Sequence, residues 1–279
     1  MTAYKVSPSE LRQLQKICYE MLIEIDRICR KNDIQYSVDG GTLLGTVRHH
    51  GFIPWDDDVD VIFTRKEYIK FRRVCEKDLD NNRFFLQDYI TDPNYRWGYA
   101  KLRRKNTIQL REGQENLKQH PGVFVDIFVV DNVPDNVILR NIHHFICFVI
   151  RKLQYSPVGA QNEHNVLLRL VYKLLSIFPR SLSFMLRDTL ASISNKSQTK
   201  LVTHYTWPYP ERCKYGVPSE CFSEYTDMLF EKTMVRTFKQ YDLYLKTVYG
   251  DYMTLPPIEK RVSHVEYSKL ELIDVDVPI

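Results

Sequence analysis

The sequence has no long apolar run. Spanning a bilayer takes roughly 20 consecutive apolar residues, and the nearest stretch, Asn141 to Leu153, is too short and carries two histidines. This predicts a soluble chain, or one that lies on a membrane surface. The six cysteines (Cys18, Cys29, Cys75, Cys147, Cys213 and Cys221) include no CxxC pair, and none has a histidine at zinc-finger spacing. The start, "MTAYKVSPSELRQLQKICYEM", lacks the apolar segment and cleavage site of a signal peptide. These absences point to a reducing, cytoplasmic setting with the thiols as small core residues. Charge of one sign is also scarce. A formal net charge of +4 over 279 residues, with no basic stripe or known module, argues against a nucleic-acid partner. There is no internal repeat and no low-complexity tract.

What is present is a clear alternation of elements. Ser7, Pro8 and Glu10 form a helix start, and apolar spacing from Leu11 to Ile28 predicts a helix to about Lys31. "IQYSVDGG" predicts a short strand entering a diglycine turn, and "TLLGTVRHH" a short helix begun by Thr42. Alternation after Pro54 predicts a strand from Asp58 to Phe63, and Thr64 with Glu67 opens a helix to about Leu79. Strands are expected from Phe84, Gly98 and Thr107, and most strongly over Val123 to Val130. Beyond about Asp135 the pattern predicts helices over 136–154, 163–178, 180–193, about 223–231 and about 241–249. The expected fold is α+β: a mixed sheet with flanking helices over 1–134, and a mostly helical region over 135–279 packed on it.

The chemistry concentrates in "GGTLLGTVRHHGFIPWDDDVDVIF", where Asp56, Asp57, Asp58 and Asp60 crowd together. Crowded carboxylates repel one another unless a cation joins them. On a strand, Asp58 and Asp60 project to one side while Val59 and Val61 turn into the core. Asp126 interrupts an otherwise apolar strand and needs a partner there. If the two strands are neighbours, three carboxylates converge as two-metal phosphoryl transfer requires. The Gly40–Gly41 pair, feeding a short helix, would let backbone N–H groups approach a phosphate. Three other readings compete. An EF-hand loop starting at Asp56 fails at its sixth position, where Val61 replaces the glycine. The D-D-x-x-D of prenyl-diphosphate chemistry, matched by Asp56, Asp57 and Asp60, belongs on a helix. A solvated acidic turn leaves Asp58, Asp60 and Asp126 unexplained together.

The block from Gly40 to Val61, the later "GVFVDIF" and the terminal "VYGDYMTLPPIEKRVSH" resemble the LicD-type phosphotransferases, the family that includes fukutin and fukutin-related protein. The resemblance spans about residues 33 to 264 and is weakest across the helical middle. It implies a nucleotidyltransferase-like core and a CDP-linked donor, CDP-choline in most similar bacterial members and other CDP-alcohols in relatives. The acceptor it implies is a cell-surface glycan or teichoic-acid precursor. It further implies that Asp56, Asp58, Asp60 and Asp126 bind magnesium or manganese, with two ions expected, and it brings His264 near the site.

Asp58, Asp60 and Asp126 are therefore the expected catalytic carboxylates. Arg48, Lys101 and Arg103 are candidates for the diphosphate, with Gly40, Gly41 and Thr42 beneath it, and Trp55 is a candidate for the quaternary ammonium. A nucleotidyltransferase, or a non-enzymatic calcium- or nucleotide-binding module, would use the same carboxylates. The stretch from Asn165 to Leu190 alternates apolar residues with Arg169, Lys173, Arg180 and Arg187. It reads either as core-packing helices or as a basic amphipathic surface resting on the inner face of an anionic membrane, near a lipid-linked acceptor.

Overall fold

The computed structural model describes residues 4–205, 208–263 and 266–277. The first part of the chain forms α1 (Pro8–Lys31), β1 (Ser37–Val38), α2 (Gly40–His49), β2 (Asp60–Thr64), α3 (Arg65–Asp78), β3 (Phe84–Gln87), β4 (Ala100–Arg104), β5 (Ile108–Arg111) and β6 (Phe124–Val133). Three helices follow: α4 (Val137–Asn162), α5 (Val166–Leu175) and α6 (Arg180–Ser194). The remainder supplies β7 (Leu201–Thr203), β8 (Val217–Pro218), β9 (Tyr225–Phe230), β10 (Thr233–Phe238), α7 (Tyr241–Tyr249) and β11 (Tyr267–Glu271). The fold is the expected mixed α+β arrangement of a sheet with flanking helices.

The central sheet runs β1-β2-β6-β4-β3, with β2 and β6 parallel and the other neighbours on this path antiparallel. One face is covered by α1, whose apolar positions from Leu14 to Cys29 are fully buried except for the partly buried Ile23. Its N-terminus closes as the sequence predicts: Glu10 N–H donates to Ser7 Oγ at 3.3 Å, and Ser7 N–H to Glu10 Oε2 at 2.8 Å. All six cysteines are buried and unbridged. Strands from beyond residue 200 return to this core. β7 extends the C-terminal half of β6, β11 pairs with β5, and Phe230, Val235 and Phe238 join the same apolar cluster as α1.

Several elements differ from the sequence expectation. The helix expected over 223–231 is a strand, β9, paired in register with β10 across Glu231 and Lys232. Threonine, aromatic and valine side chains favour this extended pairing, and Phe230 and Val235 are fully buried. The helix expected to begin at Thr42 begins at Gly40, so the diglycine is its first turn rather than a loop before it. The strand expected from Asp58 begins at Asp60. The helix expected to stop at 154 runs to Asn162 through Pro157. A proline there leaves the carbonyl of Leu153 without its helical donor, and Ser156 Oγ–H donates to that carbonyl at 2.8 Å.

Candidate active site

The site is built where β2 and β6 run side by side. Asp60 and Asp126 are direct register partners in the parallel ladder, so their side chains leave the same face of the sheet. The N–H of Asp126 donates to the carbonyl of Val59 at 3.0 Å, and Val59 and Val61 are fully buried on the other face. Just before β2, carboxylate oxygens of Asp56, Asp57 and Asp58 lie within 4.8 Å of one another. Burial, and then the charge of its neighbours, holds Asp60 well above the usual carboxylate range. Asp56 is raised in the same way, with Asp58 and Asp57 as the charges beside it. Asp58 is pushed up to about 6 by burial, although Arg111 opposes the shift with Nη2 3.8 Å away. A half-buried, mutually repelling set of oxygen donors suits a hard divalent cation, which would remove the repulsion.

The start of α2 forms the floor. Gly40 has φ of +52°, and a Cβ there would meet Asp60 Oδ2 at 3.2 Å. A Cβ on Gly41 would lie 2.6 Å from Asp56 Oδ2, so that carboxylate would have to move. Only glycine lets this backbone approach the carboxylates so closely. Asp39, the residue before α2, makes no side-chain cap bond, because its carboxylate accepts from the Tyr244 hydroxyl. Burial raises Asp39 to about 6. Thr42 serves the fold of the site: its Oγ1 accepts from the N–H of Asp60 at 2.9 Å and so ties α2 to the first residue of β2.

The aspartates divide into different environments. Asp57 Oδ2 accepts from the hydroxyls of Tyr267 at 2.5 Å and Ser263 at 2.8 Å, which fixes it to the C-terminal segment. Asp126 is partnered by Lys101, its register partner on the opposite side from Asp60. Burial pushes the Lys101 ammonium down to about 7, an effect that Asp126 opposes. Lys101 Nζ and the Arg103 guanidinium lie over the Phe124 ring, at 3.2 Å and 4.6 Å from its centroid. Arg103 is held within the protein, donating to Gln87 Oε1 at 2.7 Å and to the Gly122 carbonyl at 2.6 Å.

A cleft of ≈ 550 Å³ opens beside Asp56–Asp58 and is lined by Gly41, Arg48, Trp55, Tyr249, Tyr252 and Lys260, among others. Arg48 Nη1 donates to the Tyr252 carbonyl at 2.8 Å, which holds its guanidinium at the cleft wall. The structure thus gathers Gly41, Arg48, Trp55, Asp56 and Asp58 around one cleft, while Lys101 and Arg103 face a second cavity. His264 lies outside the described residues. Sequence reasoning missed Arg111, Tyr252 and the pairing of Tyr244 with Asp39. Arg111 closes a short strand in an otherwise ordinary surface pattern, and nothing local distinguishes it.

Residues 33–147 match the LicD/FKTN/FKRP nucleotidyltransferase domain. Over 267 residues the chain is 30% identical to the lipopolysaccharide cholinephosphotransferase LicD of Haemophilus influenzae, covering 91% of this chain and 95% of that protein. A shorter stretch of 71 residues is 35% identical to an uncharacterized protein of Rickettsia typhi, covering 25% of this chain and 22% of that one. With the glycine floor and the strand aspartates inside the matched segment, and the likeness to LicD running nearly end to end, this chain belongs to the LicD family.

Proposed function

We propose that this protein transfers phosphorylcholine from CDP-choline to a hydroxyl of a cell-surface glycan or teichoic-acid precursor. Asp56, Asp58, Asp60 and Asp126 would hold magnesium or manganese, which supplies charge neutralisation on the diphosphate when bound. The observation that carries the reading is the parallel register of Asp60 with Asp126 beside a floor that only glycine allows. The cholinephosphotransferase activity of the Haemophilus relative supports the choline-phosphate donor class. The acceptor oxygen forms a bond to the choline-bearing phosphorus, and the bond from that phosphorus to the CMP oxygen breaks. CMP leaves with the electron pair, and Asp126, oriented by Lys101, takes the hydroxyl proton. Gly40 and Gly41 let backbone N–H groups approach the donor, Arg48 sits where it meets a phosphate, and Trp55 and Tyr252 offer aromatic faces to the ammonium.

Incubation with magnesium, a glycan acceptor and a panel of CDP-choline, CDP-ribitol and CDP-glycerol tests this by CMP release. Release from CDP-choline is expected. Release confined to CDP-ribitol or CDP-glycerol would replace choline with that alcohol, and no release from any donor would end the proposal. A nucleotidyltransferase would instead leave the nucleotide on the product.

A second reading concerns where the reaction happens. Among the described residues no helix is long and apolar enough to cross a membrane. Yet α5 buries only Tyr172, and Leu167, Leu174 and Ile177 are 73%, 64% and 76% exposed. From Asn136 to Arg187 the sole acid is Glu163, against seven arginines and lysines. An exposed apolar helix in a basic surround suits an anionic membrane. Flotation with anionic vesicles at low salt is expected to carry the protein upward. Equal flotation with neutral vesicles removes the role of anionic charge, and no flotation at all removes the membrane reading.

A further inference from the structure

A second cavity, of ≈ 600 Å³, shares no lining residue with the cleft beside Asp56–Asp58. Its walls come from β4, β5, the segment leading into β6, and α4. Lys101, Arg103, Arg111, Arg151 and Lys152 all line it, and no carboxylate does. Polar atoms on the same wall have no hydrogen-bond partner among the described residues: Gln109 Oε1, Arg111 Nε, Gln119 Oε1 and Gln154 Nε2. Gln109 and Gln154 are only 4% and 3% exposed. Buried polar atoms left unpaired in a folded protein are costly, and three amides and a guanidinium nitrogen on one wall mark a place that a polar ligand completes.

We infer that this cavity is the acceptor site and takes a sugar that bears a phosphate. The inference rests on the phosphotransfer reading above. Arg151 and Lys152 line the cavity, form no ion pair among the described residues and select a negative charge. Aromatic side chains on the wall, Trp97, Tyr99 and Tyr155 among them, offer flat apolar faces to a sugar ring. The cavity also meets the carboxylate site. Lys101 pairs with Asp126, and Arg111 lies 3.8 Å from Asp58. Through these two contacts a hydroxyl held in the cavity would be presented to the carboxylates. The α4 residues of the wall, Phe148 to Tyr155, lie beyond the 33–147 segment that matches the family domain.

Calorimetric titration with glucose 6-phosphate, glucose and CMP tests the assignment, using wild type and an R151Q/K152Q variant whose melting is checked first. Glucose 6-phosphate is expected to bind wild type at least ~10-fold tighter than glucose, and the variant to lose ~10-fold or more of that affinity with CMP unchanged. Glucose 6-phosphate binding no tighter than glucose overturns the inference, as does a loss of CMP affinity in the variant, which would make the cavity a donor site. Should the variant fail to fold, wild type alone decides: glucose 6-phosphate and CMP must bind together, and mutual exclusion overturns the assignment. Failure of every CDP-alcohol to release CMP would sink the phosphotransfer reading separately, because these binding measurements require no turnover.

Discussion

Lys101 and Asp126 face each other across antiparallel β4 and β6, with the ammonium on the carboxylate and both side chains buried. Asp126 is thereby set between a cation on one neighbouring strand and Asp60 on the other. The pair fixes Asp126 before any ligand arrives, and it answers why an aspartate is tolerated inside an apolar strand. A second aspartate of the same strand, Asp131, is treated alike: Arg65 Nε donates to it at 2.8 Å.

Breaking the pair from the Lys101 side leaves an uncompensated buried charge. K101M is expected to lose about 3–5 kcal/mol of stability in urea unfolding. Little change would mean that solvent or a cation already satisfies Asp126.

Removing one carboxylate from the crowded set separates metal binding from folding. D58N is expected to abolish CMP release. Because it relieves repulsion, its melting temperature without divalent cation should equal or exceed that of wild type. Wild type should gain stability on adding magnesium, and D58N should gain much less. Normal turnover by D58N would show that Asp58 does not act in the reaction.

The glycine floor can be tested by one methyl group. In G41A the new Cβ displaces the Asp56 carboxylate, so turnover should fall by ~10²-fold or more, the scale expected when a site group moves by about 1 Å. Far-UV circular dichroism should be unchanged, since alanine suits a helix. Activity within a factor of about two of wild type would remove Gly41 from the site.

The pH dependence of stability should carry a histidine signature from α4. Burial pushes His143 down to about 4, with Asp131 opposing that shift and His144 reinforcing it. The unfolded chain binds a proton below about 6.5 while the folded one does not until about 4. Stability is therefore full above 6.5 and is lost as pH falls toward 4, at up to ~1.4 kcal/mol per pH unit from this residue. Urea midpoints of H143Q should fall less steeply than those of wild type between pH 6.5 and 5. Parallel slopes would show that His143 is not the group responsible.

Much of the fold was readable from local pattern. The capped start of α1, the buried valines flanking Asp60 and the strand containing Asp126 all follow from short periodicities and capping chemistry. Asp126 could be recognised as needing a partner, but Lys101 could not be recognised as that partner. The choice depends on β4 lying beside β6 in one register. The β9 strand was misread because six residues of mixed character satisfy either period. Its pairing with β10 and burial against α1 decided between them. The helix over 136–154 was read too short because the rescue of Pro157 by Ser156 uses a side-chain hydroxyl that no periodicity reports.

The order of residues alone determined which short segments could be helix or strand, which side chains would share a face, and that Asp126 needed a partner inside its apolar strand. Those properties depend on atoms a few positions apart. Tertiary structure alone decided that Asp57 would be bound by Tyr267, that Arg111 would reach Asp58, and that α4 would wall a basic cavity beside the carboxylates. Such contacts join positions tens to hundreds of residues apart, and sheet order, register and packing of the whole core select them.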